Sequence, residues 1–145
     1  MSENTQRTTS GESTRATRGT VFLVDDDKFL LDMYSMKFVQ QGFTVQAFLS
    51  ADQALASLRD GLSPEVILFD INMPERDGFS FLQALAEEKL GTRSTKIALT
   101  NQSSDQEREK AKSMGADDYL VKATLIPSEV VNKVAEYTER HAAKS

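Results

Sequence analysis

The sequence predicts an α/β domain built on a doubly wound parallel sheet. Three observations predict it: five short β-prone apolar runs, a helical pattern of apolar residues after each run, and turn or capping residues at most of the joins. Buried parallel strands are covered on both faces, so they read as continuous apolar runs and not as alternations. The 145 residues suffice for one ordinary domain with a real core.

Residues Ser2 to Thr20 contain no large apolar side chain and cannot offset their ordering entropy by burial, so residues 1–20 read as a disordered tail. Arg7, Arg15 and Arg18 among many hydroxyls weakly resemble a transit peptide, but Glu3, Glu12 and the missing apolar face argue against one. Val21 to Val24 is the first strand. Lys28 to Gln41 carries a helical stripe at Leu30, Leu31, Tyr34 and Phe38, and Asp27 is placed to cap it. Phe43 to Phe48 alternates and reads as the second strand. Ser50, with Gln53 three positions on, forms a capping box for a helix through Leu55 and Leu58 that stops at Gly61. Val66 to Phe69 is the third strand and runs directly into Asp70. Phe79, Phe81, Leu82, Ala84 and Leu85 mark the next helix, and Lys96 to Thr100 the fourth strand. Ser104 with Glu107 caps a polar helix over Asp105 to Met114, which reads as a solvated surface and a possible docking face. Tyr119 to Val121 is the fifth strand. Pro127 opens a last helix with Val130, Val131, Val134 and Tyr137 on its apolar side. The folded domain is thus expected over residues 21–137, with a short polar tail over 138–145.

Composition narrows the function. No cysteine is present, so there is neither a disulfide framework nor a thiolate metal site, and a reducing cytoplasm is the natural expectation. No apolar run approaches the length of a membrane span. The net charge of -5 argues against direct nucleic-acid binding, which needs a basic footprint. His141, the only histidine, falls in the polar tail and is given no role.

In a doubly wound sheet the ligand site lies beyond the carboxyl ends of the strands. The first polar residues after strands one, three, four and five are Asp25, Asp26 and Asp27; Asp70; Thr100; and Lys122. Taken singly each has a plain structural reading: a helix cap, a turn carboxylate, a satisfied hydroxyl, a solvated charge. Brought together they do not, because carboxylates about 4 Å apart repel by roughly 4 kcal/mol at an effective dielectric near 20 unless a cation sits among them. All-oxygen donors with few protein ligands suit Mg2+, which keeps several waters. Asp26 and Asp70 are the candidate direct ligands, Asp25 acts through water, and the backbone carbonyl of Asn72 can add another oxygen. Lys122 and Thr100 have no task in a simple cation site, but both suit an anion beside the metal. A phosphoryl group is such an anion. Asp70 is then the nucleophile, Lys122 neutralises phosphoryl oxygens and Thr100 donates a hydrogen bond to the product.

At these positions the chain resembles the response-regulator receiver family of two-component systems. The matching motifs are Leu23-Val24-Asp25-Asp26, Phe69-Asp70-Ile71-Asn72-Met73-Pro74, Asp77-Gly78, Leu99-Thr100 and Gly115-Ala116-Asp117-Asp118-Tyr119-Leu120-Val121-Lys122. Each motif is weak alone, and the ordered set is specific. The resemblance covers Val21 to about Tyr137 and implies a flavodoxin-like (βα)5 fold with strand order 2-1-3-4-5. It also implies a histidine kinase or histidine phosphotransfer protein as phosphodonor, and self-catalysed transfer to Asp70 without multiple turnover. It further implies a switch in which the Thr100 hydroxyl moves toward the phosphate and Tyr119 turns inward. That switch remodels the face of the fourth helix, fifth strand and fifth helix, which a downstream protein or a second copy in a homodimer would read. Because no output module follows in this sequence, the effect is expected to pass to a separate partner.

Two residues depart from the family pattern. Ala123 stands where receivers carry proline after the lysine, so the Lys122–Ala123 bond is expected to be trans. Asn101 stands where a small residue usually follows the threonine. These departures leave room for an alternative, a degenerate receiver acting as a phosphorylation-independent interaction module. A metal-dependent phosphatase of the haloacid-dehalogenase kind would want a second acid two places after the nucleophile, where this chain has Asn72. A dinucleotide site would want a glycine-rich turn after the first strand, which is missing.

Overall fold

A computed structural model describes residues 18–101 and 104–144. Its elements follow in order: β1 Thr20–Val24, α1 Lys28–Gln40, β2 Thr44–Phe48, α2 Ala51–Arg59, β3 Val66–Asp70, α3 Gly78–Glu88, β4 Thr95–Thr100, α4 Asp105–Ser113, β5 Asp118–Val121 and α5 Pro127–Lys144. A single 3-10 turn, Lys122–Thr124, joins β5 to α5. The five strands form one parallel sheet in the order β2-β1-β3-β4-β5, as expected for a flavodoxin-like doubly wound sheet.

Strand periodicity divides the core in two. Phe22, Val24, Ile67, Phe69 and Ala98 face one side of the sheet, where α2 and α3 bring Leu55, Leu58, Phe81 and Leu85. Val21, Leu23, Leu68, Ile97 and Leu99 face the other, against Leu31, Phe38, Val130 and Val134 of α1 and α5. Successive strand residues point to opposite faces, so one apolar run feeds both layers. Phe22, Phe38, Phe69 and Phe81 are each at most 1% exposed, and burying a side chain of this size contributes about 1.5–3 kcal/mol.

Helix starts are fixed by side-chain caps. Asp27 accepts from the Leu30 N–H, Ser50 from Gln53, Asp77 from Ser80 and Ser104 from Glu107, each worth about 1 kcal/mol. Three of these caps, Asp27, Asp77 and Ser104, stand close after a strand that ends at the site, so they also fix the loops around it.

The chain ends differ from the sequence expectation. Residues 1–17 of the expected N-terminal tail lie outside the described residues. Arg18, Gly19 and Thr20 are already part of the domain: the Arg18 N–H donates to the Gly42 carbonyl, the Thr44 N–H to the Gly19 carbonyl, and Thr20 opens β1. At the other end α5 does not stop near Tyr137 but runs to Lys144, and Thr138, assigned to the polar tail, is buried. The physical reason is that Glu139 to Lys144, His141 apart, are good helix formers, with no glycine or proline to stop them. The side chain of His141 lies outside the described residues.

Candidate functional site

Strand register carries the site residues to one edge. Val24 is paired with Phe69, Asp70 with Leu99, and Thr100 with Val121. Asp25, Asp70, Thr100 and Lys122 therefore leave the sheet at nearly the same level. Asp25 and Asp70 are 5% and 4% exposed, whereas Asp26 is open to solvent. Carboxylate oxygens of Asp25, Asp26 and Asp70 lie within 4.8 Å of one another.

One buried ammonium bridges the two buried acids. Lys122 Nζ is 3.2 Å from Asp25 Oδ2 and 3.4 Å from Asp70 Oδ2. Burial alone would pull the Lys122 pKa down, but Asp70 and Asp25 together outweigh it and leave it above its ordinary value. The backbone holds the other carboxylate oxygens: the Asp27 N–H donates to Asp25 Oδ1 at 2.9 Å, and the Asn72 N–H to Asp70 Oδ1 at 3.1 Å. Burial pushes the Asp70 carboxyl up to about 6; Asp25 adds to that rise, while Lys122 and the Asn72 N–H act against it. One cation among three acids leaves the cluster short of positive charge.

Gly78 is required beside this cluster. A Cβ on it would lie 2.8 Å from Ile71 Cα and 2.9 Å from the Asp70 carbonyl oxygen, closer than real contacts allow. The first turn of α3 thus packs directly on the Asp70 backbone. Between them, Glu75 adopts a left-handed φ of 67°.

The other two expected residues meet at Glu107. Thr100 is 1% exposed, and its Oγ1 donates to Glu107 Oε1 at 3.1 Å. Tyr119 is 2% exposed, and its phenol donates to the same oxygen at 2.6 Å. Burial raises the Tyr119 pKa, and Glu107 raises it further. The Arg108 guanidinium stacks over the Tyr119 ring at 4.7 Å and reaches its carbonyl at 3.4 Å. Of the two departures, the Lys122–Ala123 bond is trans, as every described peptide bond is, and Asn101 is exposed.

Of the sequence-derived set, the structure brings together Asp25, Asp26, Asp70 and Lys122. It places Asn72 against Asp70 through its backbone N–H. Thr100 and Tyr119 form a separate group with Glu107. In the sequence Glu107 is legible as a capping residue of a solvated helix, and nothing in its position marks it as the partner of a hydroxyl seven residues earlier.

A family model described as the response regulator receiver domain matches residues 21–135. An uncharacterized 14.6 kDa protein of Leptolyngbya boryana is 32% identical over 117 residues, covering 81% of this chain and 88% of that protein. The transcriptional regulatory protein CpxR of Escherichia coli (strain K12) is 33% identical over 102 residues, covering 70% of this chain but 42% of CpxR. The BeF3-activated receiver domain of DrrB, from Thermotoga maritima, superposes with a TM-score of 0.71 at 30% identity, covering 84% of this chain and 98% of that one. The chain belongs to the response regulator receiver family, whose members are phosphoacceptors of two-component signalling and in general not turnover enzymes. It spans less than half of CpxR, so the activity of that whole regulator is not carried over.

Proposed function

We propose that this chain is a phosphorylation switch in which Asp70 accepts a phosphoryl group from a histidine kinase or histidine phosphotransfer protein. The observation that carries this reading is the buried Asp25–Lys122–Asp70 bridge beside a third carboxylate. A phosphorylation-independent module has no use for such an arrangement, since buried charges are expensive unless something is bound there.

The donors fit Mg2+: they are hard oxygens, they are mutually close, and exposed Asp26 leaves a side open to the waters that this ion retains. Asp26 and Asp70 would ligate it, with Asp25 acting through water and the Asn72 carbonyl as a further donor. When bound, the ion supplies positive charge to the acids and to the transferring phosphoryl oxygens. The chain's own residues do the rest. Asp70 attacks phosphorus, the P–O bond forms as the bond to the donor imidazole breaks, and the imidazole leaves to take up a proton. Lys122 is within reach of Asp70 and is already poised to follow negative charge onto a phosphoryl oxygen. Thr100 donates to the product once its hydroxyl turns from Glu107, while Tyr119, already buried, keeps its phenol on that carboxylate. Phosphorylation can shift this equilibrium only as far as the phosphoryl group binds one state better than the other.

The face formed by α4, β5 and α5 would deliver the signal, to a downstream protein or a second copy. Exposed Asp105, Glu109 and Lys110 on α4 suit a partner recognised by charge. The described residues include no helix long and apolar enough to cross a membrane, and a cytoplasmic setting suits a cysteine-free phosphoacceptor.

Incubation with acetyl phosphate and Mg2+, followed by intact mass measurement, tests the assignment. The expected result is one added phosphoryl mass in the wild type and none in Asp70→Asn. No uptake, or uptake that survives in Asp70→Asn, overturns it.

A further inference from the structure

We infer that Glu107 is a positioning residue that competes with a bound phosphoryl group for the Thr100 hydroxyl, and so sets how tightly the site holds that group. The inference rests on the reading of Asp70 as phosphoacceptor.

A single carboxylate oxygen, Glu107 Oε1, takes Thr100 Oγ1 at 3.1 Å and Tyr119 Oη at 2.6 Å. The hydroxyls come from β4 and β5, the carboxylate from α4, and the Thr100 and Tyr119 hydroxyls also interact with each other. These three oxygens form one hydrogen-bonded group, which the Ser104 backbone N–H joins at Tyr119 and whose negative charge sits on Glu107. Thr100 is 1% exposed, so solvent offers its hydroxyl no alternative partner. A threonine hydroxyl has one proton to give. It cannot serve the Glu107 group and a phosphoryl oxygen above Asp70 at once. Every phosphorylated molecule must therefore break a hydrogen bond to a charged acceptor before Thr100 can help.

Glu107 is fitted to this task by its neighbours. Arg108, the next residue on α4, holds the Tyr119 ring at 4.7 Å and its carbonyl at 3.4 Å. Tyr119 thus stays beside Glu107 when Thr100 departs. The carboxylate keeps one hydroxyl and is not stranded, which makes the exchange reversible.

The test uses beryllium trifluoride with Mg2+ as a stand-in for the acyl phosphate, with affinity read by calorimetry. Four full-length proteins are compared: wild type, Glu107→Ala, Thr100→Val and the double variant. Glu107 lies in the first turn of α4, where alanine keeps the backbone N–H that Ser104 caps, and circular dichroism confirms the fold. Losing a competing hydrogen bond to a charged group is expected to tighten binding in Glu107→Ala by about tenfold. That gain should vanish when Thr100→Val is already present. Unchanged or weaker binding by Glu107→Ala overturns the inference. An equal gain in both backgrounds also overturns it, because removal of a nearby negative charge would then be the cause. Wild-type protein that neither binds the probe nor takes up phosphoryl mass removes the phosphoacceptor reading itself, whereas normal wild-type binding with an inert Glu107→Ala removes only the role of Glu107.

Discussion

Replacing Asp70 with asparagine should make the metal-free protein more stable at neutral pH, by an amount that the site's electrostatics fix. Burial raises the Asp70 carboxyl from 3.8 to about 6. A carboxyl whose folded pKa lies above its unfolded value holds its proton longer when folded. Between those two values the native state therefore binds more protons than the unfolded chain, and stability falls as pH rises. Each unit corresponds to 1.36 kcal/mol, so the ionised group costs the fold about 3 kcal/mol once pH is well above 6. Asparagine is nearly the same shape, carries no charge and keeps an oxygen for the Asn72 N–H. It also deprives Lys122 of one partner, while Asp25 at 3.2 Å remains. The cost of about 3 kcal/mol already includes the attraction of Lys122 for the ionised group, so the net gain is about 3 kcal/mol, or roughly 9–15 °C in Tm for a domain of this size. Urea unfolding in EDTA at pH 4.5 and pH 7.5, followed by circular dichroism, measures it. The gap between variant and wild type should open mainly between pH 4 and pH 6.5, because the other carboxylates are shared and cancel. A gap independent of pH, or an Asp70→Asn protein less stable than wild type at pH 7.5, refutes the reasoning.

Two further substitutions probe the loop that carries Asp70. Gly78→Ala forces a methyl group to 2.8 Å from the Ile71 Cα and 2.9 Å from the Asp70 carbonyl, so overpacking should cost about 1–3 kcal/mol in urea unfolding and slow phosphoryl uptake measured by intact mass. Glu75→Gly relieves a left-handed φ of 67°; it should change stability by less than about 1 kcal/mol in the same assay, since released strain is offset by the greater freedom of glycine in the unfolded chain.

The fold was legible because its signals are local and agree. Val66 to Phe69 is apolar throughout since both sheet faces are covered, and Asp27, Ser50 and Ser104 mark helix starts by chemistry that needs no tertiary context. The acid cluster was legible for a related reason: in a parallel sheet, the first polar residue after each buried run has to emerge at the same edge. What escaped depends on contacts across the fold. The pairing of Glu107 with Thr100 and Tyr119 joins three elements, and α4 reads as a plain solvated helix. That Arg18 and Gly19 already belong to the domain escaped too, because they are held by backbone bonds to Gly42 and Thr44 and not by apolar side chains of their own. The end of α5 lacked any stop signal, and an apolar stripe that ends before the helix does cannot mark the last turn.

The same polarity that hid α4's role also makes it easy to move. Along its length α4 buries only Ala111, whereas α3, of similar length, buries Phe81, Leu82, Ala84 and Leu85. Local opening is opposed chiefly by apolar burial, so α4 is anchored mainly by polar contacts: Glu107 to Thr100 and Tyr119, Arg108 to Tyr119, and the Lys110 ammonium over the Phe79 ring at 4.3 Å. Polar contacts of this kind are worth about 1 kcal/mol each, well below the apolar anchoring of α3. A rearrangement of one hydroxyl can therefore tilt the position of α4 without disturbing the core. Native-state hydrogen exchange should show amides of α4 opening at least tenfold more readily than those of α3 before phosphorylation. Phosphorylation should alter protection in α4 and β5 while leaving α3 unchanged beyond its first turn. Equal protection of the two helices in the unmodified protein would mean that α4 is held by more than these contacts, and a shift in Thr100 could not then move it.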